Sequence, residues 1–292
     1  MITFFGASVT QQKNGYAVYL KKKIKNSVKI FWNGGMHLPN AGICYIDDVL
    51  KYSPEYCFID WFSTDYIDTD ENTIEYLNAL VYKFSQAKCR LVFLFFPRLD
   101  NSSRQNFYKF VKNFLVMNEL YFIDLNDYYE HSFDFVKDSV HTTELWSQKY
   151  ADIIHEQFIK DKAEIKMPSN IPYTQLVNIK HIVVKKKFRE YILLQGNSKI
   201  VTFEMNIGRY SGLITINNTQ YNIWDVWCHY DRPSCKLDNI PVNGDLRIDI
   251  LQNSFDTSKC RRDWINFKKI GKKLIINRIF YTGDSLSLKE GK

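Results

Sequence analysis

Short apolar runs alternate with helical stretches along the first 160 residues of this 292-residue chain, and no other feature restricts the fold as much. Runs at 2–5, 28–32, 56–61, 90–96 and 120–124 are β-branched or aromatic and bounded by turn residues, as buried strands are. Between them, 43–52, 72–87, 102–117 and 143–159 carry helical periodicity. Asp70-Glu71-Asn72 and Asn101-Ser102-Ser103 read as helix starts, while Pro54 and Pro97 mark loops. This β-α-β-α order predicts an α/β domain of three layers, with a parallel sheet covered on both faces. Ligands of such sheets bind beyond the carboxyl ends of the strands. Gly6-Ala7-Ser8, Asn33 to Gly42, Asp60 to Asp65 and Pro97-Arg98 all fall there.

The pattern then changes. Lys160-Asp161-Lys162-Ala163-Glu164, followed by Pro168, Ser169, Asn170 and Pro172, reads as the end of one domain and a linker. The expected division is 1–163, a linker at 164–175, and a second domain at 176–292. Short runs recur there at 178–185, 190–194, 199–206, 212–216, 220–227, 245–251 and 273–281. With Asn217-Asn218, Asn243-Gly244 and Gly271 as turns, the spacing predicts a smaller all-β sandwich or jelly roll.

Charge is divided unevenly between these halves. Residues 1–163 carry 18 Lys+Arg against 20 Asp+Glu, whereas 164–292 carry 21 against 12. The basic second half suits an anionic partner such as an acidic glycan, a nucleotide-linked substrate or a membrane surface, or it serves solubility. Nucleic acid is disfavoured because no binding motif accompanies the charge. The six Cys show no paired CxxC spacing, which argues against structural zinc and a disulfide framework. The chain contains no apolar run long enough for a transmembrane helix and no signal-peptide core, so the expected location is cytoplasmic.

Two short segments carry the chemistry. Phe4-Phe5-Gly6-Ala7-Ser8 ends an apolar run in a small-residue turn, and Asp138-Ser139-Val140-His141 lies between the fifth strand and the last helix. A hydroxyl at a strand-to-helix turn, with an Asp and a His on one loop, supplies the parts of a nucleophilic acyl-transfer site. These blocks resemble those of the SGNH (GDSL-type) hydrolases: Gly6-Ala7-Ser8 stands in place of Gly-Asp-Ser, and Asp138 to His141 matches the closing Asp-x-x-His. The resemblance covers roughly the first 160 residues. It implies that Ser8 is the nucleophile, His141 its general base and Asp138 the residue that orients the imidazole.

The resemblance also implies an oxyanion hole built from the Ser8 backbone N–H, a second-block Gly and a third-block Asn. Gly42, expected at a helix opening, is the candidate glycine. The third block departs from the family, reading Asp60-Trp61-Phe62-Ser63-Thr64-Asp65 with no Asn. Ser63 or Thr64 is therefore the expected hydroxyl donor, with Asn40 as the alternative. A second departure is Ala7 for Asp beside the nucleophile. Other substrate contacts are sought at His37, Asn40, Trp61 and Arg98, and at Trp227 within an aromatic stretch of the second domain. Each has an ordinary structural reading as well, and Asp60 reads equally as pocket lining or as buried polar support.

What the resemblance implies for function is a serine esterase acting on an O-acyl, most plausibly O-acetyl, ester of a carbohydrate or glycoconjugate, with no metal or organic cofactor. Two alternatives stay open. The same acyl-enzyme would serve a carbohydrate O-acetyltransferase with acetyl-CoA as donor, and a damaged oxyanion hole would suit a non-catalytic glycan-binding protein. The oligomeric state is not legible in the sequence.

Overall fold

A computed structural model of the chain describes residues 1–24, 27–60, 71–99, 105–128, 134–208, 212–223, 232–251 and 274–290. The chain divides into two compact units, Met1–Val177 and Asn178–Lys292. Among the described residues, no helix is long and apolar enough to cross a membrane.

In the first unit, β1 (Ile2–Gly6), β2 (Val28–Trp32), β3 (Tyr56–Ile59), β4 (Arg90–Phe95) and β5 (Phe122–Asp124) form a parallel sheet in the order β2-β1-β3-β4-β5. β1 and β3 are buried at every position, because helices cover both faces. Strand alternation then sorts the side chains. Ile2, Phe4, Tyr56, Phe58, Val92 and Leu94 share one core with Tyr16, Ala17 and Leu20 of α2 (Tyr16–Lys23) and with Trp146, Tyr150, Ile154 and Phe158 of α6 (Glu144–Asp161). α4 (Glu71–Gln86) buries Leu77, Leu80, Val81 and Phe84 along a single helical stripe. α5 (Gln105–Met117) does the same with Phe107, Val111, Phe114 and Leu115.

Two helices were not legible in the hydrophobic pattern. α1 (Ser8–Gln11) is a single turn, and α2 ends in three consecutive lysines that blur its stripe. Residues 38–42 adopt a π-turn, and the helix expected over 43–52 is the shorter α3 (Ile46–Leu50). Nor are residues 164–175 a free linker. Ile165 lies in the first unit's core, the Ser85 hydroxyl donates to the Pro168 carbonyl at 3.3 Å, and Tyr173 packs edge-on against Tyr82. The polar composition of this segment concealed the few apolar side chains that dock it.

The second unit is antiparallel throughout, with strands β6 (Lys180–Phe188), β7 (Tyr191–Ile207), β8 (Leu213–Ile216), β9 (Thr219–Asn222), β10 (Arg232–Leu251), β11 (Leu274–Tyr281) and β12 (Ser285–Glu290). They run in the order β6-β11-β7-β10-β8-β9, and β12 also pairs with β7. The long β7 and β10 pair with each other along most of their length. β11 joins β7 at 201–206 and β12 joins it at 192–197. Side chains from both stretches of β7, and from Ile240 to Ile250 of β10, contribute to one core. The second unit is thus an antiparallel β domain with a core of its own.

The two long strands carry local irregularities in the backbone. Gly196 (φ +144°) faces Gly244 (φ +82°) across β7 and β10, and the inward residues of β7 change from Ile192 and Leu194 to Val201, Phe203 and Met205 beyond it. A register irregularity in β10 between Ile240 and Val242 contains Pro241, whose missing N–H is tolerated there. Asn217-Asn218 form the expected turn, both at positive φ, between β8 and β9. Asn243-Gly244 do not. They lie inside β10, where the glycine serves a bend instead.

Candidate active site

The strand order of the first sheet reverses at β1, whose neighbours on either side are β2 and β3. A crevice forms at such a reversal, beyond the carboxyl ends of the strands. Gly6-Ala7-Ser8 leaves β1 there and Asp60 leaves β3 there. Ser8 opens α1 and is half-buried.

Asp138 and His141 occupy a tight loop before α6. A bridge between Val136 and Thr142 closes the loop, and the Lys137 N–H donates to the His141 carbonyl at 2.7 Å. Within it the Asp138 Oδ1 accepts from the N–H groups of Val140 and His141, each at 2.8 Å, while Oδ2 lies 2.8 Å from His141 Nδ1. Three residues of separation thus become an oriented pair, because one carboxylate folds the loop and fixes the ring together. Partial burial pushes the Asp138 carboxyl up. The two backbone donors and the imidazole outweigh that effect and hold it below the ordinary carboxylate value.

The two segments are joined by a residue outside the sequence motif. Gln12, immediately after α1, donates from Nε2 to the Thr142 carbonyl at 2.8 Å and accepts from the Thr142 hydroxyl at 3.3 Å. Thr142 follows His141, and its hydroxyl is also 2.7 Å from that of buried Ser147 in α6. The serine turn and the histidine loop are therefore tied together, four residues from one and one residue from the other. The segment after β4 contributes as well, since the Leu99 N–H donates to the Ser139 carbonyl at 3.2 Å. Arg98 beside it is only 7% exposed, at the strand end where an anion contact was sought.

The second block forms a compact cap. Asn40 is buried, and its Oδ1 accepts from the N–H groups of His37 and Ala41. Two backbone donors on the oxygen fix the amide orientation, so the nitrogen is the donor end. His37 accepts in turn from the Asn40 N–H. Gly42 does not open a helix as expected. It ends the π-turn, and its N–H donates to the His37 carbonyl at 2.9 Å, so that donor is engaged within the turn. The sequence missed this because a glycine before an apolar run looks the same at either end of a turn. Trp61, Ser63, Thr64 and Trp227 lie outside the described residues.

Asp60 has the most unusual setting. It is wholly buried, with Oδ1 accepting from the Ala7 N–H at 2.9 Å and Oδ2 accepting from the Thr10 and Tyr16 hydroxyls. Burial raises its carboxyl to about 6, against the lowering effect of the hydrogen bonds from Thr10, Ala7 and Tyr16. Neither Thr10, Tyr16 nor Gln12 carries a local sequence signal for these contacts. Only the fold brings them together.

No protein-family model matches the chain, and no curated protein sequence matches it. Solved structures do. Two crystal structures of a two-domain esterase (CEX) active on acetylated mannans, one co-crystallised with mannopentaose, are similar over 97% of this chain and 91% of theirs, at 12% identity and TM-scores of 0.68 and 0.65. The two proteins share a fold. That shared fold extends through both units, so an α/β unit followed by an antiparallel β unit is common to them.

Proposed function

We propose that the protein is a serine esterase that removes O-acetyl groups from a carbohydrate through an acyl-enzyme. One observation carries this reading: Gln12 binds Thr142 twice, joining the Ser8 turn to a loop in which Asp138 already holds the His141 ring. With Nδ1 engaged by the carboxylate, Nε2 is the atom available to take the Ser8 proton. Ser8 Oγ attacks the ester carbonyl, and the imidazolium then protonates the leaving sugar oxygen. Water completes the cycle by releasing acetate, with His141 again as base.

The developing oxyanion is held by the Ser8 N–H, which has no intrahelical acceptor at the first position of α1, and by the amide nitrogen of Asn40. Asn40 thereby replaces the third-block Asn that the chain lacks. The acetylated-mannan activity of the structural neighbour supports a glycan acetate as the ester.

The test is acetate release from an aryl acetate and from acetylated mannan by wild type and Ser8→Ala. Wild type is expected to release acetate from both, and Ser8→Ala to fall to the uncatalysed rate. Equal rates for the two proteins would overturn the reading. Acetylated sugar formed from acetyl-CoA faster than free acetate would assign the acyl-enzyme to transfer instead.

A further inference from the structure

The nucleophile turn lacks its own support. α1 has four residues, too few to be stable alone, and Ala7 at its N-cap has no side-chain oxygen to accept a hydrogen bond. From Gly6 to Gln12 the chain carries no acidic residue. The carboxylate at the turn comes instead from the end of β3.

We propose that Asp60 is a positioning residue for Ser8, holding the turn from across the sheet through the Ala7 N–H and the Thr10 and Tyr16 hydroxyls. The proposal rests on Ser8 being the nucleophile. Ala7 and Thr10 bracket the serine in sequence, and a single carboxylate grips both. Tyr16 links this grip to α2, which packs into the core: its ring is wholly buried, 6.0 Å from Phe4 and 4.7 Å from Phe96. Gly6 leaves the space the carboxylate occupies. A Cβ at Gly6 would lie 2.2 Å from Asp60 Oδ1 and 1.9 Å from Thr10 Oγ1. The first glycine of the motif is thus a requirement of the Asp60 side chain as much as of the turn.

The charged form is the one that grips. A carboxylate accepts at both oxygens, whereas the neutral acid must donate through one and turn a hydroxyl partner around. Among the described residues, the Tyr16 phenol on α2 is a titratable group bonded to Asp60, and the Cys57 thiol on β3 lies in turn within electrostatic reach of that phenol. Burial pushes both well above their ordinary values, so they remain neutral while Asp60 titrates near 6.

Asp60→Asn is isosteric and still accepts from Ala7, while its amide donates to Thr10 and Tyr16. The full chain carrying it is expected to fold, with kcat for aryl-acetate hydrolysis reduced by about 10–100-fold, the range a small misplacement of a reacting group produces. KM should stay within about twofold, because substrate contacts are unchanged. The acid limb of its log kcat–pH profile should be shallower than that of wild type by one proton. Tyr16→Phe removes one hydrogen bond to the carboxylate and should move the wild-type limb to higher pH. Wild-type kcat and limb in Asp60→Asn, or an unmoved limb in Tyr16→Phe, would overturn the proposal. Loss of kcat matched by an equal loss of thermal stability at pH 8 would overturn it also, reducing Asp60 to general support. Activity retained by Ser8→Ala would instead remove the nucleophile reading, and this proposal with it.

Discussion

At the residue scale, two carboxylates, the buried Asp60 and the exposed Asp138, are tuned in opposite directions. Asp138 is held below the ordinary carboxylate value, so it stays ionised through mildly acid solution. Its contribution to stability is present above the unfolded-state value and is lost as pH falls through the lower, folded one. Asp60 has the opposite sign. Its value of about 6 exceeds that of an unfolded Asp, so its contribution is complete at low pH and is lost as pH rises through 6. About two pKa units correspond to about 3 kcal/mol at neutral pH. Asp60→Asn is therefore expected to gain melting temperature relative to wild type between pH 5 and 7.5, and calorimetry at the two pH values checks it. A gap that narrows would contradict the sign. Gly6→Ala should lower both stability and acetate release, by about 1–3 kcal/mol in chemical denaturation, because overpacking has no flexible side chain to absorb it.

At the scale of elements, the link between α1 and the loop before α6 matters most. Gln12→Ala removes both hydrogen bonds to Thr142 and should cost about 1–2 kcal/mol in urea unfolding. If this link aligns the proposed serine and histidine, labelling of Ser8 by a serine-directed phosphonate should slow more than the stability loss explains. His141→Ala should abolish labelling while the fold persists. In the second unit, Gly196→Ala would place a Cβ 2.3 Å from the Ser285 carbonyl oxygen in a backbone conformation that only glycine adopts readily. It should detach β12 from β7, read as faster amide exchange over 285–290.

The elements also differ in how legible they were. Four of the five parallel strands begin at the residue where their apolar run begins and the fifth two residues later, because strands buried on both faces have no polar alternation to confuse the reading. The long β7 and β10 were read as shorter fragments or in part. A strand that bends at Gly196 or passes through Pro241 carries turn residues inside it. Local chemistry cannot distinguish a bend within a strand from a turn between two.

At the scale of the molecule, each unit has its own core, which makes the first testable in isolation. A fragment of residues 1–177 is expected to unfold cooperatively and to keep aryl-acetate activity. A fragment ending at 163 should be less stable by about 1.5–3 kcal/mol, since it loses buried Ile165 along with the docking of 164–177. Equal denaturation midpoints for the two fragments would show that this segment contributes nothing.

The sequence by itself determined the layered α/β unit, the all-β unit after it, and the local pair of Asp138 and His141. Each of these depends on residues near one another in the chain, where periodicity and short loops limit the outcome. Tertiary structure alone decided that a carboxylate 53 residues away holds the Ala7 amide, and that Gln12 reaches Thr142 across 130 residues. Such contacts leave no trace in spacing, because the sheet order that creates them is a property of the whole core.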